Sequence, residues 1–227
     1  MSSIRVALVC AMLGLLPAAG RGQPASSQAE WINDLRLGGY VIVLRHGATV
    51  SDKTGPDSMS RPNASAQRQL NEQGREQAKS IGEALRKLKI PVGLVLTSPI
   101  QRAVDTGRLL GFGDVTATPD LAESGHGDAP DETNRHAQAF RKLVAQRPPA
   151  DNNVVIVTHK PNIVDAFGQD WANVSEGEAS VFEPHGSGGY RLIARVQAGE
   201  EQARAGAGLI GARRVQREAR VGRIAGA

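Results

Sequence analysis

Three short apolar runs constrain this chain more than anything else in it: YVIVL at 40–44, LVL at 94–96 and VVIVT at 154–158. A strand with one wet face alternates apolar and polar residues, whereas an unbroken apolar strand must be covered on both faces. Helices are the usual cover, and helical patterns lie between the runs. Residues 71–89 place Ala78, Ile81, Leu85 and Leu88 on one face. Residues 30–37 read as a short helix stopped by Gly38-Gly39. Ser98-Pro99-Ile100-Gln101 reads as a capping box that starts a helix at 99 and carries it to 110. A further helix is expected at 133–146, and Pro161 opens another. Residues 115–118 form a short strand, and 179–182 with 190–196 form a final antiparallel pair around a Gly-rich turn. Strands alternating with helices predict an α/β fold, a three-layer sandwich with a largely parallel central sheet flanked by helices.

The two ends of the chain differ from its middle. Residues 1–22 have the order of a secretory signal peptide: a basic start at Arg5, an apolar run at 6–16 and small residues at 17–20. That run is shorter than the roughly 20 residues of a membrane span, so no stable membrane insertion is expected after cleavage. The sole cysteine, Cys10, lies within it, so the mature chain is expected to carry no disulfide and no thiol ligand. A periplasmic or secreted location follows from this reading. At the other end, residues 198–227 set six arginines against three glutamates and have no steady period, which reads as a solvated basic tail. Arg5 and the tail account for the net charge of +4, leaving residues 6–197 neutral. A neutral domain argues against nucleic-acid binding. The folded domain is therefore expected at 28–197, with 51–69 as a long surface loop rich in Ser, Pro, Asn, Asp and Arg.

Ligands of open α/β sheets bind beyond the carboxyl ends of the strands. Here the first run ends in Arg45-His46-Gly47, the second leads to Ser98-Pro99 and Arg102, and the third ends in Thr158-His159. Two histidines and two arginines thus reach one edge of one sheet. Arginine forks match phosphate oxygens in pairs, and helix N-termini add backbone donors. A neutral imidazole can attack phosphorus and hold the phosphoryl group for a time. The expected ligand is a small phosphorylated substrate. His136 and His185, with His126, read as loop or surface residues, and Trp31, Trp171 and Phe182 as packing residues.

Leu44-Arg45-His46-Gly47, Ser98-Pro99-x-x-Arg102-Ala103-x-x-Thr106, Leu121-x-Glu123 and the strand ending in Thr158-His159 together resemble the histidine phosphatase superfamily, which includes phosphoglycerate mutases. The resemblance spans about residues 40–195. It implies a metal-independent phosphomonoesterase with no cofactor. His46 would be the phosphorylated nucleophile, Arg45, Arg102 and His159 the phosphate-binding set, and Glu123 the proton donor to the leaving oxygen. Asp120, His126 and Asp128 compete for that last role. Three departures stand out. Ala48 replaces the Glu that often follows RHG, Lys160 replaces a Gly after the second His, and Ser124-Gly125-His126-Gly127 lacks a Trp-Glu-Gly pattern. They argue against a mutase and leave the substrate open, with periplasmic phosphosugars favoured by the export signal. Lys160 would either contact a second anionic group or face solvent.

Two other readings stay open at this stage. A metallohydrolase would also use histidines, although no HExxH, DxH or cysteine pair occurs and basic residues flank both histidines. A catalytically inactive phosphate- or phospholipid-binding module would keep the pocket without turnover.

Overall fold

The structure, a computed structural model, describes residues 28–50, 67–123, 130–149, 151–186 and 188–197. The segment read as a signal peptide, most of the 51–69 loop, residues 124–129 with His126 and Asp128, and the basic tail lie outside the described residues. Helix α1 (Gln28–Leu37) leads into β1 (Val41–Arg45), followed by α2 (Glu72–Lys87), β2 (Val92–Thr97), α3 (Gln101–Leu109) and β3 (Val115–Ala117). Helix α4 (Pro130–Ala145), β4 (Asn153–Thr158), α5 (Lys160–Phe167), β5 (Ala179–His185) and β6 (Gly189–Val196) complete the described α-helices and strands.

The six strands form one sheet in the order β3-β2-β4-β1-β5-β6. Strands β3, β2, β4 and β1 run parallel, while β5 and β6 add an antiparallel margin beside β1. Side-chain alternation in the central strands divides the core in two. Ile42, Leu44, Val155 and Val157 join Trp31 and Leu35 of α1 and Ala103 of α3, with Ile81 and Leu85 of α2 packed alongside. Val41, Val43, Val154 and Ile156 point the other way, toward Phe140 and Val144 of α4 and Ile163 and Ala166 of α5. The expected three-layer α/β sandwich is thus the observed one. Trp31, Trp171 and Phe182 are all buried, as expected of packing residues. Phe140 is fully buried, and truncating such a side chain to alanine costs about 3–5 kcal/mol.

Gly38 and Gly39 both have positive φ, 79° and 92°, where the chain turns from α1 into β1. At Gly38 there is also no room for a side chain, since a Cβ would lie 2.5 Å from the Asn152 nitrogen.

Three local expectations need correction. Helix α3 does not begin with a capping box at Ser98. It starts at Gln101, and its N-cap, Ile100, makes no side-chain bond. The Ser98 hydroxyl instead accepts from the Ile100 N–H at 3.2 Å and lies 2.7 Å from His159 Nε2. Gln67, from the end of the loop before α2, supplies the missing cap by accepting the Gln101 N–H at 2.9 Å. Helix α4 begins at Pro130, three residues earlier than the apolar pattern suggests. His136 is no surface residue: it is buried with Ala137 and Phe140 on the inner face of α4. His185 sits half-buried at the end of β5.

Candidate active site

The register of β1 against β4 pairs Arg45 with Thr158. The residues that follow, His46 and His159, therefore emerge side by side at the carboxyl edge of the sheet. Their rings lie 5.3 Å apart between centroids, tilted by 55°. Strand β2 pairs with the other side of β4, matching Thr97 to Val157, which brings Ser98 to His159. Helix α3 then carries Arg102 back over the strand ends, where its side chain is fully buried. The sheet thus gathers Arg45, His46, Arg102, His159 and Glu123, the five residues singled out in the sequence.

His46 is 1 % exposed. Its Nδ1 lies 2.8 Å from the Gly47 carbonyl oxygen. A carbonyl can only accept, so Nδ1 carries the ring proton and the lone pair resides on Nε2. Arg102 Nε donates to that Nε2 at 3.1 Å, which fits the same tautomer. Burial pushes the His46 pKa well below 6.5, and the nearby Arg102 charge pushes the same way. At neutral pH the ring is uncharged and nucleophilic.

His159 is fully buried, and its pKa is also held well below 6.5, first by burial and then by the charge of Arg102. Its Nε2 meets the Ser98 hydroxyl. That hydroxyl also accepts from the Ile100 N–H and has both a donor and a further acceptor position to offer Nε2. The Nδ1 of His159 is buried and has no hydrogen-bond partner. Arg45 Nε is in the same condition. Two buried polar atoms at the strand ends are thus without a hydrogen-bond partner.

The remainder of the Arg45 guanidinium is fixed. Nη1 donates to the Val174 carbonyl at 2.6 Å, and Nη2 lies 3.4 Å from Glu176 Oε1. Thr49 Oγ1 donates to the same carboxylate oxygen at 3.0 Å. Burial lowers the Arg45 pKa, and Glu176 opposes that shift. Arg102 Nη2 donates to Glu123 Oε2 at 2.6 Å in a nearly buried ion pair. The loop after β1 is clamped to α3 through Thr106, whose Oγ1 accepts the Gly47 N–H at 3.1 Å and donates to the Arg102 carbonyl at 2.7 Å. Helix α2 closes the near side by backbone contact. A Cβ on Gly47 would lie 2.6 Å from the Gly74 oxygen, and one on Gly74 would lie 2.1 Å from the Ala48 oxygen.

The sequence reading overlooked Gln67, Glu176 and Arg68. Arg68 follows the capping Gln67 and its charge is felt at Arg45, His46 and His159. Thr106 stood within the quoted motif without a role. Lys160 is exposed, which favours its solvent-facing reading. Asp120 is half-buried in the short 3-10 turn Pro119–Leu121, where its N–H meets Thr118. Among the described residues, no group of three or more His, Cys, Asp or Glu side chains is placed to hold a metal ion. Nor is any helix among them long and apolar enough to cross a membrane.

Comparison with known proteins agrees with this geometry. Residues 41–139 match the model of the histidine phosphatase superfamily, branch 1. The matched stretch contains Arg45, His46, Arg102 and Glu123 and ends before His159. A search of curated proteins found no match. Among solved structures, a mycobacterial glucosyl-3-phosphoglycerate phosphatase complexed with VO3 is 22% identical, with 68% of this chain and 97% of that one covered at a TM-score of 0.50. A protein described as mycobacterial hydrolase 2 is 19% identical, with 73% and 95% covered and the same TM-score. These likenesses concern the fold. The match to the histidine phosphatase superfamily is confined to residues 41–139, which hold four of the five gathered side chains.

Proposed function

We propose that this protein is a metal-independent phosphomonoesterase that acts in two steps through a phosphohistidine at His46. One observation carries the proposal. The lone pair of the buried, uncharged His46 imidazole is held by Arg102, while Arg45 Nε and His159 Nδ1, on the two residues beside it at the strand ends, are buried without partners. Leaving a buried polar group unsatisfied costs about 1–3 kcal/mol, and a phosphate oxygen is a ligand that the Arg45 donor suits, as does His159 with its proton on Nδ1.

In the first step His46 Nε2 forms a bond to phosphorus as the bond to the leaving oxygen breaks. Glu123, in its acid form, gives that oxygen a proton. Arg102 bridges His46 and Glu123 in the free site, so the incoming phosphoryl group takes over its donors. Arg45, Arg102 and His159 stabilise the charge on the equatorial oxygens. In the second step Glu123 takes a proton from water, the resulting hydroxide oxygen bonds to phosphorus, and the electron pair of the P–N bond returns to Nε2.

The substrate we favour is a phosphosugar or similar small phosphomonoester outside the cytosol. The neighbour named for glucosyl-3-phosphoglycerate lends support to a sugar-linked phosphate, and residues 1–22 support export. N-terminal sequencing of the secreted fraction tests export: a start near residue 23 is expected, and retention of Met1 would remove the argument for an extracytosolic substrate. The activity is tested with p-nitrophenyl phosphate in EDTA. Turnover is expected to survive the chelator, to vanish in His46→Ala and to leave acid-labile phosphate on His46 after rapid quench. Chelator-sensitive turnover would point to a metal, and vanadate binding without turnover would point to a binding module.

A further inference from the structure

We propose that Asn162 is a positioning residue for Glu123, coupling the placement of the proton donor to the helix that carries His159. The proposal rests on the reading of Glu123 as general acid. Asn162 is 2 % exposed and lies three residues after His159, in the first turn of α5. Its Nδ2 donates to the Ala122 carbonyl at 2.6 Å and lies 3.5 Å from the Leu121 carbonyl. Thr158, the last residue of β4, brings its Oγ1 to 3.4 Å from that same Leu121 oxygen.

These bonds fall where the chain most needs them. Leu121 ends the 3-10 turn Pro119–Leu121, and Ala122 is already extended, with φ −57° and ψ 142°. A short turn leaves its final carbonyls without a helical partner. Here those carbonyls, from the two residues before Glu123, are taken up by the β4–α5 junction. Leu121 and Ala122 are buried at 0% and 4% exposure, so water is a poor substitute. The backbone entering Glu123 is thereby tied to the segment 158–162, which contains His159. Glu123 in turn reaches Arg102, and Arg102 reaches His46. Without the amide, the carboxyl group would keep its chemistry and lose its registration. A displacement of about 1 Å can cost on the order of 100-fold in rate.

A displaced acid has a signature that a generally weakened fold lacks. A nitrophenolate leaves readily without a proton, whereas an alkoxide depends on one. The test therefore compares kcat/KM, which reports formation of the phosphohistidine, for p-nitrophenyl phosphate and for β-glycerol phosphate. The ratio of the two within one sample is independent of how much protein is folded. Wild type, Glu123→Gln, Asn162→Ala and the milder Asn162→Ser are measured. We expect Glu123→Gln to raise the aryl-to-alkyl ratio by about 100-fold or more. Asn162→Ala should raise it by at least about 10-fold, with Asn162→Ser between it and wild type. If Asn162→Ala does not fold, the ratio in Asn162→Ser is read alone, and a rise is still required. A raised ratio in Glu123→Gln with wild-type ratios at position 162 overturns the positioning role and leaves the acid in place. An unchanged ratio in Glu123→Gln overturns the acid, and the positioning role falls with it.

Discussion

Strand β4 is buried along its whole length and carries polar side chains at both ends, yet the two ends treat polarity in opposite ways. At its start, Asn153 is fully buried and fully bonded. Its Oδ1 accepts from the Tyr40 N–H at 3.1 Å, and its Nδ2 donates to the Leu35 and Pro91 carbonyls, both at 2.8 Å. One amide thus ties together the end of α1 and the approaches to β1 and β2. At its finish, His159 is equally buried but its Nδ1 has no partner, and Arg45 Nε on the adjoining strand has none either. A fold that saturates one end of a strand has no physical need to leave the other end open. On the proposed reading, the open end is where a phosphate oxygen would complete the bonding.

The largest expected effect separates the two ends by what they control. His46→Ala should lower turnover by about 10⁴-fold or more. Asn153→Ala should instead cost about 2–4 kcal/mol of stability, because it strips three bonds from a buried site. Its kcat per folded molecule should match wild type, as read from active-site titration beside a urea melt. His46→Ala should move the melting midpoint less than Asn153→Ala does. Loss of turnover in folded Asn153→Ala would break the division between the ends.

An oxyanion should satisfy the open end and stabilise the protein as it does so. Vanadate at 100 times its Kd contributes about 2.7 kcal/mol, or roughly 5–10 °C in Tm for a domain of this size. Arg102→Ala should lose that shift, and Asn153→Ala should keep it from a lower starting point. A vanadate response that survives Arg102→Ala would place the anion elsewhere.

Acid should attack the open end first. Both histidines have folded pKa values below 6.5, so below pH 6.5 the unfolded chain binds protons that the folded chain refuses. Stability is therefore fully present above about 6.5 and falls as the pH drops toward the folded values. Each histidine contributes up to about 1.4 kcal/mol per pH unit. Urea melts between pH 7.5 and 5 should show this fall, and His159→Gln should reduce its slope. An unaltered slope would mean that the neutral, buried state of His159 is not what acid disrupts.

The two ends also differed in how legible they were in sequence. The sheet could be read because β1 and β4, buried on both faces, are continuous apolar runs, although the LVL run of β2 leaves Leu94 38% exposed. Arg45, His46, Arg102 and His159 could be read because each directly follows, or caps the return from, such a run. The start of α3 could not. Its Ser-Pro signal is local, but Ser98 is occupied by His159, 61 residues away, and the cap comes from Gln67, 34 residues back. Glu176 reaches Arg45 across 131 residues, a distance over which no periodicity speaks. His136 was misread for a different reason. It stands four residues before Phe140 and eight before Val144, so the apolar stripe of α4 did mark its burial, and its polarity hid it.

Location alone does not decide which kind of polarity a residue carries, and Thr106 separates location from saturation. It sits at the open end, fully buried, between His46 and Arg102, yet its hydroxyl is saturated by the Gly47 N–H and the Arg102 carbonyl. If saturation marks a structural role, Thr106→Val should behave like a mild Asn153→Ala. The Gly47 N–H would be left buried without an acceptor, at about 1–2 kcal/mol, and kcat should fall only a few-fold as the loop bearing His46 relaxes. Chemical denaturation with a p-nitrophenyl phosphate assay reads both. A loss of turnover approaching that of His46→Ala, with stability unchanged, would mean that nearness to the lone pair matters more than whether a polar group is already bonded. The contrast between the two ends of β4 would then be one of position alone.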